Sequence, residues 1–243
     1  MKPADPIGQT ALDILSTADR FNAWMYGRIA PYISGQVLEI GAGLGNITRH
    51  MLNKGHEVTT ADVDPYYIGQ LQHRFAQFPN HKETLLLDLQ DAHTEEIRSP
   101  YGGRFDTVVL LNVIEHLPDE TGALQRCRFL LRPGGRLIVL APSYAWLFSR
   151  MDRELGHCRR YRSGQLRKTL SDNGFQIERS FYFNFLGIFG WLIGKWRNQQ
   201  VLQQDQMRIF NKLVPVGKLL DRLVFRSAGL SSIVIAIKPK END

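Results

Sequence analysis

Cysteine is scarce in this chain of 243 residues, which contains only Cys127 and Cys158. Two cysteines cannot form a disulfide framework or a zinc site built from several cysteines, and they suit a reducing compartment. Long hydrophobic runs are also lacking. The longest apolar stretch, residues 181–194, is interrupted by Asn184 and is shorter than the about 20 residues of a membrane-spanning helix. Because the N-terminus also lacks the apolar core of a signal peptide, we expect a cytoplasmic protein, with at most peripheral membrane contact.

Positive charge exceeds negative charge, and the formal net charge is +6. Part of the excess lies between residues 151 and 168, where six cations stand against Asp152 and Glu154: Arg153, Arg159, Arg160, Arg162, Arg167 and Lys168. This run is either an ordinary solvated helix start or a site for an anionic substrate or an anionic surface. The sequence alone leaves both interpretations open.

Apolar runs separated by helix-length segments indicate βαβ units and a parallel sheet that is covered on both faces. The predicted strands are residues 36–40, 57–61, 83–87, 106–111 and 135–141, followed by 175–183 and 231–238. One domain, residues 1–243, accounts for this pattern. Residues 1–35 form an N-terminal helical cover, with one amphipathic helix over 10–33. Residues 184–230, between the last two strands, form a helical insert, and inserts of this length are often lids.

Glycines follow the first predicted strand in VLEIGAGLGNIT, residues 37–48. A Walker A loop is excluded, because it needs GxxxxGK followed by Ser or Thr. The dinucleotide fingerprint GxGxxG fits only in part, because Asn46 occupies the position of its third glycine. Asp62 ends the second strand 19 residues after Gly43, where an acid would bind ribose hydroxyls. A nicotinamide-dependent oxidoreductase therefore stays an alternative.

Three further segments complete a set of motifs: LLLDLQD with Asp88, FDTVVLLNVIEHLPD with Asn112, Glu115 and His116, and RFLLRPGGRLIVLAP. Together with the glycine loop they resemble the class I S-adenosylmethionine-dependent methyltransferases over residues 36–141. The segment MDRELGHCRRYRSGQL resembles a motif of lipid- and quinone-directed bacterial relatives. The resemblance implies an α/β fold with a doubly wound, mostly parallel seven-stranded sheet whose last strand is antiparallel. It also implies S-adenosylmethionine as the cofactor.

The resemblance assigns roles residue by residue. The glycine loop would lie under the methionine part of the cofactor, Asp62 would take the ribose hydroxyls, and Asp88 with Leu89 would meet the adenine. Asn112 would close the site around the amino-acid end, and Tyr26 or Trp24 of the cover could face the carboxylate. The predicted cofactor-binding residues are Tyr26, Glu39, Gly41, Ala42, Gly43, Gly45, Asn46, Asp62, Val63, Asp88, Leu89 and Asn112.

Methyl transfer to oxygen or nitrogen requires removal of a proton, and histidine commonly accepts it. His116 and His157 are the predicted catalytic residues. His157 is favoured as a base or substrate anchor, although it could instead pack against Tyr161 and order the loop. Predicted acceptor contacts are Arg159, Arg160, Tyr161 and Trp191. No metal is expected.

The acceptor class is narrowed by missing motifs. Neither an (N/D)PP(Y/F) string nor a cysteine stands directly after the fourth strand, where the chain reads NVIEH. A nucleic acid is therefore not expected as partner. The apolar insert 184–230 would form a lid over a small apolar metabolite, either neutral or anionic, or it would lie on a membrane. Core packing or a homodimer interface would also explain it. The predicted function is methyl transfer to an oxygen or carbon acceptor. A non-catalytic methyltransferase-like protein is a further alternative.

Overall fold

A computed structural model describes residues 5–91 and 99–240. Within these residues seven strands form one sheet in the order β3-β2-β1-β4-β5-β7-β6, and all neighbouring pairs are parallel except those made by β7. The strands are β1 Gln36–Ile40, β2 Glu57–Asp62, β3 His81–Leu86, β4 Phe105–Leu111, β5 Leu131–Pro142, β6 Gln176–Phe183 and β7 Ser231–Ile237. This confirms the predicted doubly wound, seven-stranded sheet with an antiparallel last strand.

Two apolar layers cover the central strands. Successive side chains of a strand point to opposite faces, so Val108 and Val109 of β4 enter different cores. Helices pack on both faces of the sheet. The α-helices of the described chain are α1 Pro6–Ser16, α2 Asp19–Ile29, α3 Thr48–Asn53, α4 Pro65–Phe75, α5 Glu120–Leu130, α6 Arg150–Glu154, α7 Ser163–Asp172, α8 Phe185–Trp196 and α9 Gln204–Leu223.

The N-terminal segment differs from the single helix predicted over 10–33. It forms α1 and α2, separated at Thr17 and Ala18, and then a short 3-10 turn at Ala30–Tyr32. The Asn22 amide donates a 2.8 Å hydrogen bond to the Leu15 carbonyl, which satisfies an acceptor freed at the end of α1. The chain therefore turns where a helical pattern alone predicts continuation. Residues 1–4 of the predicted cover lie outside the described residues.

The fifth strand also begins earlier than predicted, because the RPGG segment lies inside it. β5 starts at Leu131, and its pairing with β4 shifts register between Phe105 and Thr107. Gly134 has a φ of +79°, and the extra residues form an irregularity of the kind that bends a strand. The glycines therefore distort the start of β5 instead of preceding it.

The insert between β6 and β7 forms α8 and α9, as predicted, and packs against the N-terminal helices. The backbone N–H of Phe21 donates a 3.0 Å hydrogen bond to the Asn211 side chain on α9. The buried Asp221 carboxylate accepts from the backbone N–H groups of Asn184, at 3.1 Å, and Phe185, at 2.8 Å. Asp221 thus fastens the start of α8 to α9. Among the described helices none has the length and apolarity to cross a bilayer.

Candidate cofactor and acceptor site

The glycine loop leaves the carboxyl end of β1, where the order of the sheet reverses between β1 and β4. Ligands of open α/β sheets bind at this reversal. Gly45 has a φ of +72°, and a Cβ placed on it would lie 2.4 Å from the Phe75 ring. A side chain is therefore excluded here by backbone conformation and by space. This close approach holds the loop between β1 and α4.

Asp62, the last residue of β2, is joined to the loop. One carboxylate oxygen accepts a 2.8 Å hydrogen bond from the Gly43 N–H, and the other accepts from the Asp64 N–H at 3.1 Å. Burial raises the pKa of Asp62, against the lowering effect of these backbone hydrogen bonds. Each carboxylate oxygen can accept a further hydrogen bond. The carboxylate therefore still has acceptor capacity for the predicted hydrogen bonds from ribose hydroxyls.

Glu39 lies on β1 beneath the loop and is almost fully buried. It accepts a short hydrogen bond from the Thr48 hydroxyl at the start of α3. Burial raises the pKa of Glu39 to about 7, while the Thr48 hydrogen bond opposes the shift. Glu39 therefore ties the two ends of the loop segment together. Sequence reasoning missed Thr48.

The other predicted cofactor contacts lie along the same edge. Asp88 follows β3 and accepts a 2.7 Å hydrogen bond from the Gln90 N–H, while Leu89 is buried. Val63 is exposed, as expected of a residue that faces a ligand. Asn112 follows β4 with a φ of +55°. Gly41, Ala42 and Asn46 complete the loop, and the Ala42 N–H bonds to the Ala61 carbonyl at 3.0 Å.

Helix α1 covers the loop. The Leu12 side chain lies 3.0 Å from the position that a Cβ of Gly43 would take. The Gln9 amide donates a 3.2 Å hydrogen bond to the Tyr66 hydroxyl on α4. At the start of α1, the negative charge of Asp5 acts on His116 and partly opposes the lowering of its pKa. The helix therefore extends from the side of β2 to the side of β4.

The aromatic residues of α2 serve packing. Trp24 contacts the Phe183 ring with 4.6 Å between ring centroids, and Tyr26 stacks on His50 at 5.5 Å. Both rings are buried. The structure therefore places α1, and not the rings of α2, over the glycine loop. The contact of Tyr26 with the cofactor stays a prediction.

These features fit S-adenosylmethionine. Its sulfonium is positively charged, and three carboxyl groups, those of Glu39, Asp62 and Asp88, lie at or near the carboxyl ends of the neighbouring strands β1, β2 and β3. The backbone of the loop approaches Leu12 and Phe75 closely because Gly43 and Gly45 have no side chain. The cofactor would supply the methyl group, and the chain would supply the cover and the acids that orient it.

The predicted acceptor end lies beside β4 and β5. His157 Nδ1 is 2.9 Å from Asp152 Oδ1, and the His157 and His116 rings meet edge to face with 4.7 Å between centroids. Burial opposes ionisation of Asp152, but the hydrogen bonds from His157 and Arg160 outweigh it and lower its pKa. Partial burial of the ring and the neighbouring His157 lower the pKa of His116 to about 4. At neutral pH the His116 ring is therefore uncharged.

Glu115 is the unexpected group at this end. It is fully buried, and neither carboxylate oxygen has a hydrogen-bond partner on another described residue. Burial raises the pKa of Glu115 to about 8. The Cys158 N–H donates a 2.7 Å hydrogen bond to the Glu115 carbonyl, which joins the turn after β4 to the segment after β5. A buried polar group without a partner requires an explanation.

The predicted acceptor contacts already have protein partners. Arg160 is buried and donates to Asp152 at 2.7 Å and to the Ser143 carbonyl at 3.1 Å. Arg159 pairs with Glu120 at 3.1 Å, and the Tyr161 hydroxyl donates to the same carboxylate at 2.6 Å.

Two contacts of Trp191 connect these residues to the insert. The Trp191 ring lies 4.4 Å below the Arg160 guanidinium, and its indole N–H donates to the Leu147 carbonyl at 3.1 Å. The structure thus brings the predicted residues together, mainly with their polar groups facing each other. Sequence reasoning missed Asp152, although it precedes His157 by five residues in the same motif.

Comparison with known proteins first gives a family match for part of the chain. Residues 38–137 match the family described as a methyltransferase domain. This segment contains the glycine loop, Asp62, Asp88 and the turn after β4. The match confirms the predicted resemblance to the S-adenosylmethionine-dependent methyltransferases.

Individual relatives are more distant. A ubiquinone biosynthesis O-methyltransferase of Xanthomonas euvesicatoria pv. vesicatoria (strain 85-10) is 30% identical over 104 residues, which is 43% of this chain and 41% of that protein. The chain thus spans less than half the length of the curated relative that it matches. A SAM-dependent methyltransferase from Archaeoglobus fulgidus has a TM-score of 0.61 at 17% identity, with 91% of this chain and 95% of that chain covered.

A further structural neighbour has a different acceptor. A phosphoethanolamine N-methyltransferase 2 of Haemonchus contortus, in complex with phosphomonomethylethanolamine and S-adenosylhomocysteine, has a TM-score of 0.62 at 17% identity. The alignment covers 95% of this chain and 58% of that chain. The two structural comparisons establish the fold. Because the named relatives methylate oxygen in one case and nitrogen in another, the acceptor must be argued from the site.

Proposed function

We propose that this protein transfers a methyl group from S-adenosylmethionine to a hydroxyl group of a small, apolar metabolite. The observation that carries the proposal is one shared edge of the sheet. There the covered glycine loop after β1 lies beside the turn after β4, where His116 meets His157. The name of the Xanthomonas relative supports oxygen as the acceptor atom, and carbon is the alternative.

The proposed chemistry is an in-line displacement. The acceptor oxygen attacks the methyl carbon, the bond between that carbon and sulfur breaks, and the electron pair stays on sulfur. The hydroxyl proton of the acceptor passes to the imidazole of His157, the predicted base. Alignment of the two reactants can contribute about 7–11 kcal/mol, so the cover α1 and the anchored loop would supply much of the acceleration.

The acceptor need not be anionic. Arg159 and Arg160 pair with Glu120 and Asp152, so a substrate carboxylate would have to displace a protein acid. The insert, which contacts this corner through Trp191, supplies an apolar neighbourhood. A phenolic or quinol-like hydroxyl on an apolar body suits these surroundings better than a highly charged metabolite.

Calorimetric titration with S-adenosylhomocysteine tests the cofactor, with NAD and NADP titrated alongside. We expect binding of S-adenosylhomocysteine only. Asp62→Ala should weaken it at least about tenfold, because hydrogen bonds to a charged group are worth roughly 1.5–3 kcal/mol. Asp64→Ala is the matched control, since Asp64 caps α4, and its affinity should stay near that of the wild type. Binding of a nicotinamide cofactor instead would refute the proposal.

Methyl transfer itself requires an acceptor panel. Tritium from methyl-labelled S-adenosylmethionine should enter phenols and quinols with alkyl chains, and more slowly their short-chain analogues. A protein that binds S-adenosylhomocysteine but labels none of these compounds would favour the non-catalytic alternative.

We also propose that the insert contacts a membrane that holds the acceptor. Exposed apolar side chains recur every three or four residues along α9, so they share one helix face: Ile209, Leu213, Val216, Leu219 and Leu223. Lysine and arginine residues interleave with them, a pattern typical of helices at anionic membrane interfaces.

Vesicle sedimentation tests this contact. The wild type should sediment with vesicles that contain phosphatidylglycerol, and Leu219→Gln together with Leu223→Gln should reduce the bound fraction several-fold. Thr121→Gln, on α5, is the control. Light scattering would reveal a homodimer, and a dimer that buries this face without vesicle binding would refute the membrane contact.

A further inference from the structure

The side chains of Glu115, His116 and His157 form a compact cluster at the predicted acceptor end of the site, beside β4 and β5. Each offers one ligand atom, and these atoms all lie within 4.8 Å of one another. The ligand atoms of a bound zinc, with bonds of about 2.0–2.2 Å, are separated by roughly 3.5 Å. Binding of an ion would draw these side chains closer together. From this cluster we propose that the protein binds one divalent transition-metal ion through Glu115, His116 and His157.

The buried Glu115 carboxylate is the first argument. A buried carboxyl group normally has a hydrogen-bond partner or binds a metal, yet among the described residues no other residue bonds to either oxygen of Glu115. The nearby cation Arg160 donates its hydrogen bonds to Asp152 and to the Ser143 carbonyl instead. A cation between Glu115 and the two histidines would supply the missing partner.

The histidines have the environment of metal ligands. Asp152 holds Nδ1 of His157, which turns Nε2 toward a ligand and raises the basicity of the ring. Asp152 is itself fixed by the backbone N–H and the hydroxyl of Ser149, at 2.7 and 2.9 Å. His116 hydrogen-bonds to the backbone of Gly156. Metal-binding histidines are usually oriented by such outer contacts.

The donor set predicts the kind of ion. Two imidazoles and one carboxylate suit Zn²⁺ and its first-row neighbours better than Mg²⁺ or Ca²⁺, which prefer oxygen ligands. Three protein ligands leave coordination positions open. His116 is exposed, so the site has a path for entry.

The ion would lower the pKa of an acceptor hydroxyl that binds it, and the proton would pass to solvent. His157 would then act as a ligand and not as the base. This role in the reaction rests on the proposed function, whereas binding of the ion does not. The two can therefore fail separately.

Cobalt titration tests the site directly. Tag-free protein, stripped with a chelator and dialysed, is titrated with Co²⁺ while its visible absorption is recorded. We expect one equivalent to bind with the spectrum of a mixed nitrogen and oxygen site, and Zn²⁺ to displace it. No saturable binding near one equivalent would overturn the proposal.

Variants locate the ion. Glu115→Gln and His157→Asn should each weaken Co²⁺ binding at least about tenfold, and Asp152→Asn, which acts through His157, should weaken it by about 10–100-fold. His73→Asn, on the exposed face of α4, and Cys158→Ser should bind like the wild type. Circular dichroism confirms that each variant is folded. Unchanged affinity in folded Glu115→Gln and His157→Asn would place the ion elsewhere and refute the assignment.

Calorimetry with S-adenosylhomocysteine on the same samples separates the two proposals. Protein that binds S-adenosylhomocysteine but no Co²⁺ would contradict the metal site and keep the methyltransferase. Protein that binds Co²⁺ at these residues but not S-adenosylhomocysteine would confirm the site and contradict the proposed function.

Discussion

Replacement of Gly45 by alanine tests how the glycine loop is held. The new Cβ would lie 2.4 Å from the Phe75 ring, in a residue with a φ of +72°. The left-handed backbone costs an L-residue about 1–2 kcal/mol, and overpacking of a buried site typically costs a further 1–3 kcal/mol. We therefore expect Gly45→Ala to lower the free energy of unfolding by about 2–5 kcal/mol.

Gly55→Ala is the matched control. Gly55 has a φ of +83°, but no atom lies within 4 Å of the position of its Cβ. Only the backbone cost of about 1–2 kcal/mol should appear there. The difference between the two variants, measured by urea unfolding, isolates the contact with Phe75.

Phe75→Leu provides the second half of a double-mutant cycle. A smaller side chain should relieve the contact, so the loss caused by Gly45→Ala should shrink by at least about 0.5 kcal/mol in the Phe75→Leu background. Equal losses for Gly45→Ala and Gly55→Ala, with no coupling to Phe75, would refute the reasoning.

Two other changes follow from buried carboxyl groups. Asp221→Ala leaves two backbone N–H groups without their acceptor and should cost about 3–5 kcal/mol in urea unfolding, whereas Asp205→Ala at an exposed ion pair should change the midpoint little; equal effects would contradict the anchoring role. The pKa of Glu39 is raised from 4.5 to about 7, so the folded protein retains a proton that the unfolded chain loses. Stability should therefore fall as pH rises from about 4.5 to 7, by about 1.4 kcal/mol per unit. Glu115, whose pKa is raised to about 8, contributes a slope of the same sign in both proteins. Glu39→Gln should therefore show a shallower pH profile than the wild type, and parallel profiles of the two proteins would disprove the prediction.

The sheet could be predicted because the apolar runs of its strands are buried on both faces. The start of β5 could not, because RPGG is a turn signal by composition, and only pairing with β4 keeps it within a strand. The division between α1 and α2 depends on the hydrogen bond from Asn22 to Leu15. Periodicity of apolar residues does not report such a bond.

The cofactor edge was predictable from order along the chain, since acids at the ends of parallel strands meet at one edge. The ion pairs of the charged run 151–168 could not be predicted in the same way. Its excess of cations suggested an anionic ligand, but Arg159 pairs with Glu120 and Arg160 with Asp152. Because Glu120 is about 40 residues away in sequence, counting charges within the run could not reveal that Arg159 is paired with it.

The position of β7 affects how the chain matures on the ribosome. In chain order β7 is the last strand, yet it lies between β5 and β6. During synthesis β6 is made before β7, the strand that joins it to β5. The hydrogen-bonding edge of β6 that faces β7 therefore stays unpaired until Ser231–Ile237 has been made. The α8–α9 insert is produced during this interval, and its apolar face must stay soluble meanwhile. Synthesis from the N-terminus therefore leaves β6 without its sheet partner until β7 has been made.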